Sequence, residues 1–199
     1  MRTVLHVGCG SATIAKMPQG FQDGSWRELR FDINPACGVD FQGTITDMNA
    51  VPNDSVDALY SSHNIEHVFA HEVPSVLREF RRVIKPDGFV VITCPDLESV
   101  AKHIAEDRLE EPLYVSPSGP ISALDIFYGH GAAIARGEVY MAHKTGFTAR
   151  TLTSHGQAAG FATLGIRRRE KNFDLWMIAT KTGIPREKMG ELFGLYARA

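Results

Sequence analysis

The chain has 199 residues, of which 44% are hydrophobic and 22% charged, and its formal charge is −2. This length and composition fit one globular domain with an ample core and argue against a second full domain. Acids and bases are interspersed, and the longest basic run is Arg167-Arg168-Arg169, which reads as a solvated strand end; nothing supplies the electrostatic footprint of a nucleic-acid binder.

No apolar stretch approaches the roughly 18 residues needed to span a bilayer. The first residues, Met1 to Val7, read as a strand and not as a secretory leader. A soluble, cytoplasmic protein with neither a membrane nor a nucleic-acid partner is expected. Cys9, Cys37 and Cys94 are odd in number and form no Cys-x-x-Cys pair, so they read as reduced thiols rather than a disulfide framework or a thiolate metal site.

In chain order, short apolar runs at Val4–Val7, Glu28–Phe31, Thr44–Ile45, Ala58–Ser61 and Phe89–Thr93 predict buried parallel strands. Residues 11–26 contain Pro18, Gly20 and Gly24 and show little helical periodicity, so the first crossover helix is expected to be short or partly unwound. From Val73 to Ile84, the apolar residues Val73, Val76, Leu77, Phe80, Val83 and Ile84 recur at spacings of three and four, which predicts an amphipathic helix ending before Lys85-Pro86-Asp87-Gly88. Asp96 is placed to cap the next helix, Leu97 to about Asp107, because its carboxylate can accept from first-turn amides. Residues 112–147 break the alternation and predict a lid-like insertion with one or two short helices. Phe161–Arg168 and Phe173–Thr180 are separated by too few residues for a parallel crossover, so they predict an antiparallel hairpin. Alternating strands and helices imply a mostly parallel sheet covered on both faces.

The first strand runs into Gly8-Cys9-Gly10, a glycine-paired turn that lets backbone amides and a ligand approach closely. Asp32 follows Gly10 by 22 residues, at the end of the predicted second strand, where a carboxylate can accept from two adjacent ribose hydroxyls.

Taken with Asp47-Met48, the run from Asp54 through Ser62-His63-Asn64-Ile65-Glu66-His67, and Leu77 to Phe89, these residues resemble the class I S-adenosylmethionine-dependent methyltransferases, in particular small bacterial members of that class. The likeness covers most of residues 3–100 and resumes at His143–Thr148 and Ala158–Phe161. It implies a three-layer α/β sandwich with a seven-stranded sheet in the order 3-2-1-4-5-7-6, the last strand antiparallel, as one methyltransferase domain over residues 1–199. It also implies that S-adenosylmethionine is the cofactor. Gly8 and Gly10 would line its methionine and ribose portion with Cys9 beside them, Asp32 would hold the ribose next to Ile33, and Asp47 and Met48 would flank the adenine. Ser62 and His63 would face the transferable methyl group and the acceptor. The sequence departs from the usual pattern at His6, where an acidic residue is common, and at Ala12, where a third glycine is frequent.

Methyl transfer from a sulfonium needs alignment and exclusion of water more than a fixed catalytic triad. His63 is the candidate base, since imidazole titrates near neutral pH and ligands bind at the carboxyl ends of such strands. Tyr128, His130 and His143 are the candidate contacts to an acceptor, expected to be a small molecule with polar groups. Two alternatives stay open. One is a cofactor-binding regulator or partner subunit without turnover. The other is a zinc hydrolase, because His63-x-x-Glu66-His67 fits a pattern in which two histidines one helical turn apart bind metal beside a glutamate base. No metal ligands are otherwise assigned, and the oligomeric state is open.

Overall fold

The computed structural model describes residues 1–197. The apolar runs become β1 (Arg2–Val7), β2 (Trp26–Asp32), β3 (Phe41–Gln42), β4 (Val56–Ser62) and β5 (Ile84–Pro95), all mutually parallel where they pair. β6 (Pro112–Ser116) and β7 (Gly119–Ser122) make a separate two-stranded hairpin. β8 (Thr163–Arg169) and β9 (Asp174–Thr180) complete the main sheet, whose order is β3-β2-β1-β4-β5-β9-β8. Numbered within that sheet alone, the order is the expected 3-2-1-4-5-7-6. Its last strand, β9, is antiparallel to both β5 and β8.

One strand differs from expectation. The third strand is the two-residue Phe41–Gln42, and Thr44–Ile45 lies in the turn beyond it, where Thr44 bridges to Asp47 and Ile45 drops into the core. The amide of Gly43 donates to the Asp32 carbonyl, so the ladder ends there and the chain turns inward.

Among the described residues, six α-helices accompany the strands: α1 (Val73–Val83), α2 (Leu97–Ala105), α3 (Ala123–Tyr128), α4 (Gly131–Ala135), α5 (Ala149–Ala158) and α6 (Arg186–Tyr196). The predicted period holds in α1, which buries Val73, Val76, Leu77, Phe80 and Val83. These residues pack with Leu5, Leu59 and Ile92 of the sheet and Leu152 of α5 into the larger core. Asp96 caps α2 as expected, accepting from the Glu98 amide. Residues 112–147 hold α3, α4 and the β6–β7 hairpin, which the sequence reading did not foresee. The inward residues Ile121, Ala123 and Ile126 pack on Val100 of α2.

The other face of the sheet is covered in an unexpected way. Between β1 and β2 the chain makes two single turns of 3-10 helix, at Ile14–Lys16 and Gln19–Phe21, too short to cover the sheet. The cover comes from the far end of the chain. α6 lays Met189, Phe193 and Tyr196 over Val4, Trp26, Ala58 and Phe89, with Phe21 from the second turn at the centre. The Phe21 ring lies 4.5 Å from Tyr196 and 5.1 Å from Trp26 between centroids. Gly20 lets this happen, because a Cβ there would stand 2.7 Å from the Leu195 carbonyl oxygen.

The arginine triplet ends β8 with Arg167 and Arg168 exposed, as expected, and each member also has a partner. Arg167 donates to the Ala197 carbonyl, Arg168 pairs with Asp96 and Glu98, and Arg169 pairs with Asp174. Strand alternation sends neighbouring arginines to opposite faces, where different acceptors wait. No described helix is long and apolar enough to cross a membrane.

Candidate active site

Register aligns the carboxyl ends of three strands. Val7 pairs with Phe31 on one side and with Ser61 on the other, so Gly8, Asp32 and Ser62 leave the sheet at the same edge. Gly8 and Gly10 have φ of 64° and 50°, the left-handed region that L side chains avoid. Asp32 turns toward them: its Oδ2 accepts from the Gly10 amide at 2.8 Å and its Oδ1 from the Asn34 amide at 2.9 Å. Arg30 ties the same turn down, donating to the carbonyls of Gly10 and Ala12 with one nitrogen and of Cys37 and Gly38 with another. Cys9 is buried, and Ile33 is exposed beside Asp32. A Cβ at Gly10 would meet nothing within 4 Å, so the turn opens onto free space.

His6 is explained by its neighbour. Its Nδ1 lies 2.7 Å from Glu28 Oε1, and the other oxygen of Glu28 accepts from the Ile14 amide at 2.9 Å. The acidic group usual on the first strand is here supplied from β2. Burial pushes the His6 imidazole below its ordinary pKa despite that bond.

Gly8 is expected to tolerate no side chain. A Cβ would stand 2.5 Å from the Asn64 amide group, on top of about 1–2 kcal/mol for an L residue in the left-handed region. Gly8→Ala should therefore lose more than that in a denaturant titration. Gly10→Ala, which meets open space, should lose only the backbone part.

At the end of β4, the Ser62 hydroxyl shares a hydrogen bond with Thr93 at 2.8 Å. His63 follows with φ of 48°, its amide donating to the Thr93 carbonyl at 3.0 Å. This backbone places the ring between two buried carboxylates: Nδ1 is 3.4 Å from Glu66 Oε1 and Nε2 is 3.8 Å from Asp174 Oδ2. Desolvation alone would depress the imidazole pKa, but the two carboxylates outweigh it and push it up to about 9. The His63 ring is thus engaged by a carboxylate on either side and is not an isolated imidazole. His63 also joins two cavities. One of about 390 Å³ is bordered by Lys16, Tyr60, Ser62, Arg169 and Trp176. One of about 160 Å³ is bordered by Glu66, His67, Tyr114, His130 and His143.

Three further sequence assignments are changed. Met48 does not face a ligand: its side chain is fully buried in the larger core and its amide donates to Glu79, so it pins the loop while Asp47 stays exposed. Tyr128 is 67% exposed and does not line the smaller cavity, because the inward side of α3 is taken by Ala123 and Ile126. His130 and His143 do line it. The His63-x-x-Glu66-His67 segment is not helical in the way a zinc hydrolase requires. It forms one 3-10 turn at Ile65–His67, and α1 starts only at Val73. The glycine turn, Asp32 and Asp47 line neither cavity and lie along the open strand edge.

Several contributors escaped the sequence reading. Asp174 is almost fully buried, bonded to Arg169 and to the Trp176 indole, and its signal was available: the hairpin register sets Arg169 directly opposite it. Asn64 beside Gly8 keeps a buried Nδ2 without a hydrogen-bond partner among the described residues. Such an orphaned donor at the mouth of a glycine turn fits a bound polar group, and periodicity could not have found it.

A mostly parallel sheet with an antiparallel seventh strand, and a glycine turn and an acidic residue at its carboxyl edge, define the fold of class I methyltransferases. Residues 5–92 match the family described as methyltransferase domain. Among solved structures, a Pyrococcus horikoshii OT3 protein is 14% identical over 90% of this chain and 81% of its own, with a TM-score of 0.61. A Methanosarcina mazei SAM-dependent methyltransferase is 13% identical over 92% of this chain and 93% of its own, with a TM-score of 0.58. Human N-acetylserotonin methyltransferase, solved in complex with SAM, is 14% identical over 92% of this chain and 48% of its own, with a TM-score of 0.57. These likenesses concern the fold. No curated protein matches the chain in sequence. The matched segment and the shared fold are consistent with a class I, Rossmann-like S-adenosylmethionine-dependent methyltransferase.

Proposed function

We propose that this chain methylates a small polar acceptor held in the cavity between residues 112–147 and the carboxyl edge of the sheet, with S-adenosylmethionine along the glycine turn. The observation that carries the reading is the Asp32 carboxylate turned onto the Gly10 amide, with lone pairs left over for ribose hydroxyls. Gly8 and Gly10 keep side chains out of the way, Asp47 is exposed to meet the adenine although its Oδ1 accepts from the Asn49 amide, and the Asn64 Nδ2 offers a donor to the cofactor's amino-acid end.

Bound S-adenosylmethionine supplies a methyl group already activated by the positive sulfur. What the protein adds is orientation and a dry site. His63, which borders both cavities and is held by Glu66 and Asp174, shapes the wall the acceptor meets, and residues 112–147 act as a lid that excludes water. A small acceptor is favoured by the size of the cavity, about 160 Å³, and by the arginine triplet being occupied by its own partners.

Calorimetric titration with S-adenosylmethionine, S-adenosylhomocysteine and a nicotinamide dinucleotide in the presence of a chelator tests the reading. Both sulfur compounds should bind and the nicotinamide cofactor should not. Absence of S-adenosylmethionine binding would reject it, and binding without methyl loss over a broad acceptor panel would point to a regulator.

A further inference from the structure

The smaller cavity has a floor that the methyl-donor site does not use. Glu66 is 1% exposed, and neither carboxylate oxygen has a hydrogen-bond partner among the described residues. An ionised carboxylate buried with even one oxygen unmet is costly. Its ion-pair contact to His63, at 3.4 Å, reaches one oxygen only.

Two histidines converge on the same carboxylate, and their hydrogen bonds fix how they present themselves. His67 Nδ1 lies 3.1 Å from the Ala142 carbonyl oxygen, and His143 Nδ1 lies 2.7 Å from that of Ile126. A carbonyl can only accept, so each Nδ1 carries the hydrogen, and the tautomer this selects has its lone pair on Nε2. A backbone carbonyl behind each imidazole is the outer support that metal-binding histidines use to hold ring and tautomer. The two rings are 4.9 Å apart between centroids. One ligand atom from each of Glu66, His67 and His143 lies within 4.8 Å of the other two, and small side-chain rotations would close that to the spacing set by metal–ligand bonds of about 2.0–2.2 Å.

We propose that Glu66, His67 and His143 form a three-ligand site for a divalent transition metal, with zinc as the best fit, whose remaining positions open into the smaller cavity. Two imidazoles and one carboxylate suit zinc and its transition-metal neighbours better than magnesium or calcium, which prefer all-oxygen shells. Three protein ligands with an open position mark a working site and not a structural one. The site differs from the sequence pattern His63-x-x-Glu66-His67, because the second imidazole comes from residue 143. Backbone bonds from the Lys144 and Thr145 amides to the Glu66 carbonyl bring that segment in. A further role, gripping the acceptor through an oxygen or another metal-binding heteroatom, rests on the function proposed above.

The test uses the full chain freed of metal by a chelator and then desalted, titrated calorimetrically with Zn²⁺ and with Co²⁺ in the absence of S-adenosylmethionine. One ion per chain is expected, with visible cobalt absorption bands typical of imidazole and carboxylate ligands at low coordination number. Glu66→Gln and His143→Ala should each weaken binding by more than the roughly 10–100-fold that loss of an outer-shell partner costs. His71→Ala, at an exposed histidine outside the triad, should leave it unchanged. Circular dichroism establishes that each variant is folded, and should Glu66→Gln fail to fold, His143→Ala decides alone. The site is overturned if the unmodified chain binds no ion, if binding survives His143→Ala intact, or if His71→Ala abolishes it. S-adenosylmethionine affinity is measured separately: metal binding without cofactor binding would sustain the site while rejecting the methyltransferase function, and the reverse would reject the site alone.

Discussion

Replacing Asp32 with alanine is expected to weaken S-adenosylmethionine binding by about 1–3 kcal/mol, the scale of hydrogen bonds to a charged group. That corresponds to roughly a fivefold to hundredfold rise in Kd. Two effects add. The ribose loses its acceptor, and the amides of Gly10 and Asn34 lose the carboxylate that holds the turn in place. Asp32→Asn, which keeps one acceptor oxygen, should fall between wild type and alanine. A Kd for Asp32→Ala equal to that of the wild type in calorimetry would remove the ribose role and with it the placement of the cofactor.

Phe21→Ala is expected to cost about 3–5 kcal/mol of folding stability, the range for an aromatic residue removed from a packed core. The ring is fully buried and lies against Trp26, Tyr60, Phe89 and Tyr196, so its loss leaves a hole bordered by four rigid aromatics that cannot collapse into it. Denaturant unfolding measures this directly. A loss under about 1 kcal/mol, the level of an ordinary surface substitution, would mean that α6 is not seated on the sheet as described.

What the sequence disclosed follows from which interactions are local. The strands and α1 announce themselves because their periodicity is a property of contiguous residues, and the β8–β9 hairpin follows from the shortness of its link. The place of Asp32 beside the glycine turn was legible because a fixed spacing from that turn puts it at the end of the next strand. Other features depend on partners distant in sequence. Nothing near Phe21 says that Tyr196 will pack on it, nothing near Met48 reveals that Glu79 will take its amide, and His143 carries no mark of the Glu66 carboxylate it faces. The surroundings of His63 were hidden for the same reason: an isolated imidazole titrates near neutrality, and the two carboxylates that raise its pKa come from Glu66, three residues on, and from Asp174 on β9.

The closure of the β1–β2 face by α6 bears on how the polypeptide matures. During synthesis the amino-terminal strands emerge first, yet Val4, Trp26 and Phe21 stay bare to water until residues 186–196 leave the ribosome and fold back. A nascent or clipped chain lacking that last helix would display an aromatic surface, inviting chaperones or self-association well before any cofactor could be gripped.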